Sequence, residues 1–177
     1  MRKQLETLLP EIQHINDAKL RDLTTRVWLE AMKQAGWTIE DLPAMPFTLL
    51  IPKTEVSLIQ HTRAVTLTAL RIADVLAKEY GKRVVIDRDV LLSGAVLHDV
   101  GKLFEYEREK GRFVKSRNGE LLRHPISGAA FASRHGLPQE VLHIIAAHSK
   151  EGDGARRTIE AIIVNHADFV NFDVFKE

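Results

Sequence analysis

Cysteine is absent from the 177-residue chain, and its absence removes several kinds of chemistry at once. Without a thiol the chain cannot form a disulfide, a thiolate zinc site, an iron–sulfur cluster or a cysteine nucleophile. Any metal ion must therefore bind to histidine and carboxylate side chains.

The chain also lacks long apolar segments and a dominant sign of charge. No stretch approaches the roughly 18 apolar residues that a transmembrane helix needs, and Glu6 comes too early for the apolar region of a signal peptide. The formal net charge of +1 provides no general attraction to nucleic acid or to an anionic membrane. We therefore expect a cytoplasmic protein that binds neither a membrane nor an extended nucleic acid.

Helical periodicity covers most of the chain and predicts an all-α fold. Helix-capping residues and glycine or proline boundaries delimit the predicted segments. Residues 104–123 lose this periodicity, and Asn118-Gly119 within them predicts a small β-hairpin insertion. The predicted helices cover about residues 17–35, 54–81, 87–101, 125–135 and 138–148, and the last begins near Thr158.

We interpret residues 1–53 as an N-terminal helical extension packed on a main domain of residues 54–177. The extension is too short for a core of its own. Its amphipathic helix offers a surface for a homodimer.

Four ionisable side chains are predicted to lie on the apolar faces of different helices, because residues three, four and seven apart share a helix face. An unpaired buried carboxylate costs several kcal/mol. A bound divalent cation therefore accounts for all four side chains and for Asp99, which directly follows one of them in the sequence. Taken alone, a histidine on such a face is more often a core residue bonded to a backbone carbonyl. The four are His61, His98, His148 and Asp168.

The remaining histidines outside the site do not share these faces, and we interpret them as structural or surface residues. For His166 there is a second interpretation, as a hydrogen-bonding partner of a ligand residue. They are His14, His135, His143 and His166.

The run Leu97-His98-Asp99-Val100-Gly101-Lys102, with His61 before it and Asp168 after it, resembles the HD-domain family of metal-dependent phosphohydrolases. The resemblance extends from about Thr54 to the C-terminus. It implies a helical HD-domain bundle whose metal ligands follow the order of this motif. Residues 1–53 carry no functional resemblance.

The resemblance implies six metal ligands, because His124 and His148 occupy the places of two further family histidines. One ion would take His61, His98, Asp99 and Asp168, and a second would take His124 and His148 with Asp99 bridging. A mononuclear site, with His124 and His148 contacting substrate phosphate, is the alternative. The nitrogen and oxygen donors suit iron, manganese, cobalt, nickel or magnesium.

The expected reaction is hydrolysis of a phosphomonoester or phosphodiester, of nucleotide type, by metal-bound hydroxide. By resemblance, Asp99 and Lys102 are catalytic, and Lys102 contacts the substrate phosphate. Arg123 and Lys150 lie next to predicted ligands and add positive charge at the same mouth. A solvated surface position is the simpler interpretation of each cation. The stretch after His148 lacks the paired histidines and Gly-Tyr-Pro signature of cyclic-dinucleotide phosphodiesterases, which disfavours that substrate.

Two other functions are compatible with the same residues. One is a mixed-valent di-iron oxygenase with this ligand set. The other is a non-catalytic ligand-binding or signalling module, against which the complete ligand set argues.

Overall fold

The computed structural model describes residues 1–176 as a helical bundle with one two-stranded sheet. None of the helices in this range is both long and apolar enough to span a bilayer. The elements are α1 (Arg2–Leu8), α2 (Ala18–Ala35), α3 (Leu58–Tyr80), α4 (Arg88–Leu97), α5 (Lys102–Glu105), β1 (Tyr106–Glu109), β2 (Arg112–Lys115), α6 (Arg117–Leu121), α7 (His124–Ser133), α8 (Gln139–Ala147) and α9 (Ile159–Asp173), with short 3₁₀ turns between some of them.

The helix boundaries follow from local capping, as the sequence predicts. The Asp17 side chain accepts hydrogen bonds from the first backbone N–H groups of α2, and Gly36 ends that helix with a φ of 76°. At the start of α3, Ser57 and Gln60 form a reciprocal capping box. The predicted all-α class with a small hairpin is confirmed.

The position of the hairpin differs from the prediction. Its strands pair from Tyr106 opposite Lys115 to Glu109 opposite Arg112. The turn is Lys110-Gly111, where both residues have a positive φ (48° and 77°), as a tight hairpin turn requires.

Asn118 and Gly119, where the hairpin was expected, instead lie in α6. The Ser116 hydroxyl accepts a hydrogen bond from the Gly119 N–H and so caps this short helix. A side-chain cap three residues away therefore outweighs the turn preference of the Asn-Gly pair.

Helix α4 is the central element of the bundle and packs against α2, α3, α8 and α9. Each of its residues from 91 to 97 is buried. His98 and Asp99 follow directly on this helix and are also buried. The central position of α4 therefore delivers this polar pair to the middle of the molecule.

The N-terminal residues lie directly against α4 and α5. The Trp28 indole donates to the carbonyl of Val96 at 3.1 Å, and the Trp37 indole donates to the carbonyl of Leu103 at 2.8 Å. The expected division of the chain at residue 53 stays a prediction.

Gly101 lies where the turn after Asp99 contacts the backbone of α7. A Cβ atom at this position would stand 2.0 Å from the His124 carbonyl oxygen and 2.8 Å from the Gly128 nitrogen. Because the obstacles are backbone atoms, no side-chain rotation relieves the overlap. The motif therefore requires glycine for a close approach of two segments.

We predict that Gly101→Ala lowers the free energy of unfolding by about 1–3 kcal/mol, the usual cost of overpacking. Urea denaturation of the full chain measures the change. Gly154→Ala is the matched control, because a Cβ at Gly154 meets no atom of the described residues within 4 Å. Equal stability of the two variants would contradict the close-packing account.

Candidate metal centre

Six side chains from five parts of the bundle meet in one cluster. His61 projects from α3, and His98 and Asp99 follow α4. The others come from α7, α8 and α9, which supply His124 at the start of α7, His148 at the end of α8, and Asp168 within α9. The structure thus brings together all six residues that the sequence predicts as ligands. Their metal-binding role stays a prediction.

The Asp99 carboxylate lies at the centre of this cluster and faces two pairs of imidazoles. Its Oδ1 is 3.1 Å from His124 Nε2 and 3.7 Å from His148 Nε2. Its Oδ2 is 3.6 Å from His61 Nε2 and 3.4 Å from His98 Nε2. The cluster therefore contains two potential metal sites of three residues each, and Asp99 belongs to both.

Asp168 completes the half of the cluster that contains His61 and His98. Its Oδ1 lies 2.9 Å from His61 Nε2 and 3.9 Å from His98 Nε2. Burial raises the pKa of Asp168, but the hydrogen bond from His61 together with the nearby His98 and His148 outweighs burial and lowers the pKa to about 2. Burial also raises the pKa of Asp99, but the adjacent Lys102 ammonium and the neighbouring histidines hold that pKa well below its usual value, so both carboxylates of the cluster are ionised near neutral pH.

Hydrogen bonds on the outer side of the cluster fix which ring nitrogen of His98 and of His148 faces inward. His98 Nδ1 donates to the Ala95 carbonyl at 2.6 Å, and His148 Nδ1 donates to the Ile145 carbonyl at 2.8 Å. These nitrogens must carry the protons, because a carbonyl oxygen can only accept. In the neutral form of both rings the free lone pair is consequently on Nε2, inside the cluster.

The inward-facing atoms are mainly acceptors, and they need a positive charge between them. His124 Nε2 and His148 Nε2 are only 3.2 Å apart, and the buried His98 Nε2 has no hydrogen-bond partner among residues 1–176. Burial lowers the pKa of His148 and so disfavours an imidazolium there. A divalent cation satisfies these atoms without a second buried proton, so the donor set fits a metal ion.

Lys102 is buried beside Asp99 rather than solvated. Its Nζ lies 2.7 Å from Asp99 Oδ2 and also donates to the carbonyl of Phe47. Burial lowers the pKa of Lys102, but the adjacent Asp99 carboxylate together with Tyr106 and Asp168 outweighs burial and raises that pKa above its usual value. Lys102 therefore keeps its positive charge at the floor of the site.

The cluster opens into a pocket of about 600 Å³, a size typical of sites for small organic ligands. Asp99, Asp168 and Lys102 form part of its lining, and Arg123 and Lys150 line it as well. The structure thus places all three predicted phosphate-binding cations at one pocket, while their contact with a substrate stays a prediction.

Glu105 is a residue of the site that the sequence analysis missed. Its Oε2 accepts hydrogen bonds from His124 Nδ1 at 2.6 Å and from the His124 backbone N–H at 3.2 Å. Glu105 is buried, so this pair fixes the orientation of the His124 ring. No periodic pattern in the stretch 104–123 identifies Glu105, because the contact spans 19 residues that include the hairpin and α6.

The other histidines lie away from the cluster. His14 and His166 are exposed, so His166 does not act as the ligand partner that was kept open. His135 packs its ring against Phe131 at 4.6 Å between centroids, and His143 Nε2 accepts a hydrogen bond from the backbone N–H of Thr158.

Comparisons with known proteins agree with this geometry. A family model described as the HD domain matches residues 58–171. The chain is 31% identical over 171 residues to the dihydroneopterin 2′,3′-cyclic phosphate phosphodiesterase of Methanocaldococcus jannaschii. The aligned region covers 93% of this chain and 67% of that protein. It is also 35% identical over 86 residues to the ribonuclease Y of Acidothermus cellulolyticus. That alignment covers 49% of this chain and 15% of the ribonuclease. No solved structure matches the chain.

We predict that Mn²⁺ raises the midpoint of thermal unfolding of chelator-treated protein by several degrees. A ligand that binds only the folded state adds about 2.7 kcal/mol at a roughly hundredfold excess over its Kd. Asp99→Asn should abolish the shift, and the exposed-site control His166→Gln should retain it. An undiminished shift in Asp99→Asn would show that the ion binds elsewhere.

Glu105→Ala should weaken Mn²⁺ binding by about 10–100-fold, because His124 loses the group that orients its ring. Calorimetric titration of the full chain with Mn²⁺ measures the affinity directly. Glu107→Ala is the matched control, since Glu107 is exposed two residues further along the chain. Unchanged affinity in Glu105→Ala would contradict the positioning role.

Proposed function

The chain belongs to the HD-domain family, and we propose that it is a metal-dependent phosphohydrolase that cleaves a phosphodiester bond in a small molecule. The single observation that carries this proposal is the buried His–Asp cluster that opens into a pocket lined by Lys102, Arg123 and Lys150. The phosphodiesterase relative, which aligns with 93% of the chain, supports the same reaction.

Two divalent ions are proposed for the cluster. His61, His98, Asp99 and Asp168 would hold one, and His124 and His148 would hold the other with Asp99 shared. The two overlapping groups of possible ligands around Asp99 support a dinuclear site over a mononuclear one. Iron, manganese, cobalt, nickel and magnesium are the candidates that suit these donors. Bound ions of this kind supply Lewis-acid chemistry, which activates water and neutralises phosphate charge.

The protein's own side chains provide binding and orientation around this centre. Lys102 presents a permanent positive charge at the pocket floor, suited to a phosphate oxygen. Arg123 and Lys150 add positive charge at the mouth, although Arg123 Nε lies 3.4 Å from Glu105 Oε1 and 3.6 Å from Glu151 Oε1. Glu105 holds the His124 ring in place, so it is a positioning residue.

We propose a cyclic phosphodiester of nucleotide type as the substrate. The relative from Methanocaldococcus jannaschii is named for a 2′,3′-cyclic phosphate, and a five-membered cyclic diester fits a pocket of about 600 Å³ together with an organic group. Cleavage of long RNA is less well supported, because the chain corresponds to only 15% of the ribonuclease Y relative.

The di-iron oxygenase and the non-catalytic module remain distinguishable alternatives. No feature of the pocket favours an oxygenase, and Lys102 and Arg123 favour an anionic substrate. A module without metal would have no use for four buried imidazoles around one carboxylate.

We predict that the Mn²⁺-loaded protein hydrolyses 2′,3′-cyclic AMP with a higher kcat/KM than 3′,5′-cyclic AMP or AMP. Asp99→Asn should lower kcat/KM by at least about 10²-fold, the order of loss when one electrostatic stabiliser of a transition state is removed. Chromatography of the products measures kcat/KM for each substrate and for the variant.

His166→Gln serves as the control variant for that measurement, because its side chain is exposed outside the site. Full activity of Asp99→Asn, or turnover that consumes oxygen, would contradict the proposed hydrolysis.

A further inference from the structure

We infer that residues 48–51, together with Phe169 and Phe172, form the wall that binds the organic group of the substrate. This inference rests on the proposed function, because it assigns the part of the same pocket that the phosphate does not occupy. The segment lies outside the residues that match the family model, which begins at residue 58. We call residues 48–51 the wall segment.

The residue before the wall segment ties it to the candidate metal centre. The Phe47 ring is buried and packs against the His61 ring at 4.7 Å and the Phe172 ring at 5.9 Å between centroids. The Phe47 carbonyl accepts hydrogen bonds from Lys102 Nζ and from the Tyr106 hydroxyl. The start of the wall segment is therefore held within contact of two residues of the site.

Backbone hydrogen bonds close the loop that carries the wall segment. The Phe47 N–H donates to the Val56 carbonyl at 3.1 Å, and the Leu58 N–H donates to the Met45 carbonyl at 2.7 Å. Within the loop, the Leu50 N–H donates to the Thr48 hydroxyl at 3.1 Å. The loop thus has a fixed base, and its residues 48–51 line the pocket.

The pocket has a charged part and an apolar part. Lys102, Arg123 and Lys150 line the first, beside the His–Asp cluster. The second is lined by the leucines and the isoleucine of the wall segment and by two phenylalanines of α9, with Lys176 Nζ 4.9 Å from the centroid of the Phe172 ring. Leu50 is 70% exposed and Leu49 is 37% exposed, so both offer apolar surface that a ligand can cover.

This division fits a phosphate ester whose organic group carries a ring. The charged part complements the phosphate, and the phenylalanine rings favour contact with another ring. Because the leucine, isoleucine and phenylalanine side chains offer no hydrogen-bonding groups, they select for apolar area rather than for a particular pattern of donors and acceptors. The wall segment is therefore expected to prefer a ring over a small alkyl group.

Two phosphonates that resist hydrolysis test the inference by binding alone. They are phenylphosphonate and methylphosphonate, which share the anionic group and differ in the organic group. Calorimetric titration of the Mn²⁺-loaded full chain should show about tenfold tighter binding of phenylphosphonate. In the double variant Leu49→Ala/Leu50→Ala that preference should fall to about twofold or less, with methylphosphonate affinity unchanged.

Leu67→Ala is the matched control, because Leu67 is a 45% exposed leucine on α3 outside the pocket. It should keep the full preference for the ring, and thermal unfolding should show that all variants fold. Equal affinity of the wild-type protein for the two phosphonates would overturn the inference, as would a preference that survives in the double variant.

Failure of the proposed function would look different. In that case neither phosphonate would bind the Mn²⁺-loaded protein, and the inference would fall with the phosphate site. Binding of both probes with equal affinity would support the phosphate site and would contradict only the binding of the organic group by the wall segment.

Discussion

The burial of the Asp99 carboxylate among four imidazoles is the constraint on which the rest of the site depends. Helix α4 is covered by four other helices, so the acid that follows it has almost no contact with water. A buried anion needs a compensating charge, and Lys102 supplies only one. The inward Nε2 atoms and the second carboxylate, Asp168, therefore make the centre a place where a divalent cation is favourable.

Much of the fold and the site could be predicted from the sequence, because those parts depend on local rules. Asp17, Gly36 and Ser57 mark helix ends through short-range hydrogen bonds and backbone conformation. His61 and Asp168 could be recognised because helical spacing places them on apolar faces, where burying an ionisable group without a partner costs free energy. The metal-binding role of these residues stays a prediction, although their meeting in one cluster is a fact of the structure.

The parts that could not be predicted depend on contacts between distant or irregular segments. Glu105 reaches His124 across a hairpin and a short helix, and no periodicity precedes it. The hairpin turn lies at Lys110-Gly111 instead of Asn118-Gly119. The latter pair is part of α6, whose first turn is capped by the Ser116 hydroxyl. The contribution of the N-terminal residues was also missed, since only the folded chain shows the Phe47 ring against His61.

Anomalous diffraction from crystals of the full chain grown with Mn²⁺ tests the central claim most directly. The account predicts two manganese peaks per chain, both within coordinating reach of Asp99. One should have His61, His98 and Asp168 around it, and the other His124 and His148. A centre without manganese, in which Lys102 remains the partner of Asp99 while any peaks lie elsewhere on the protein, would contradict the account.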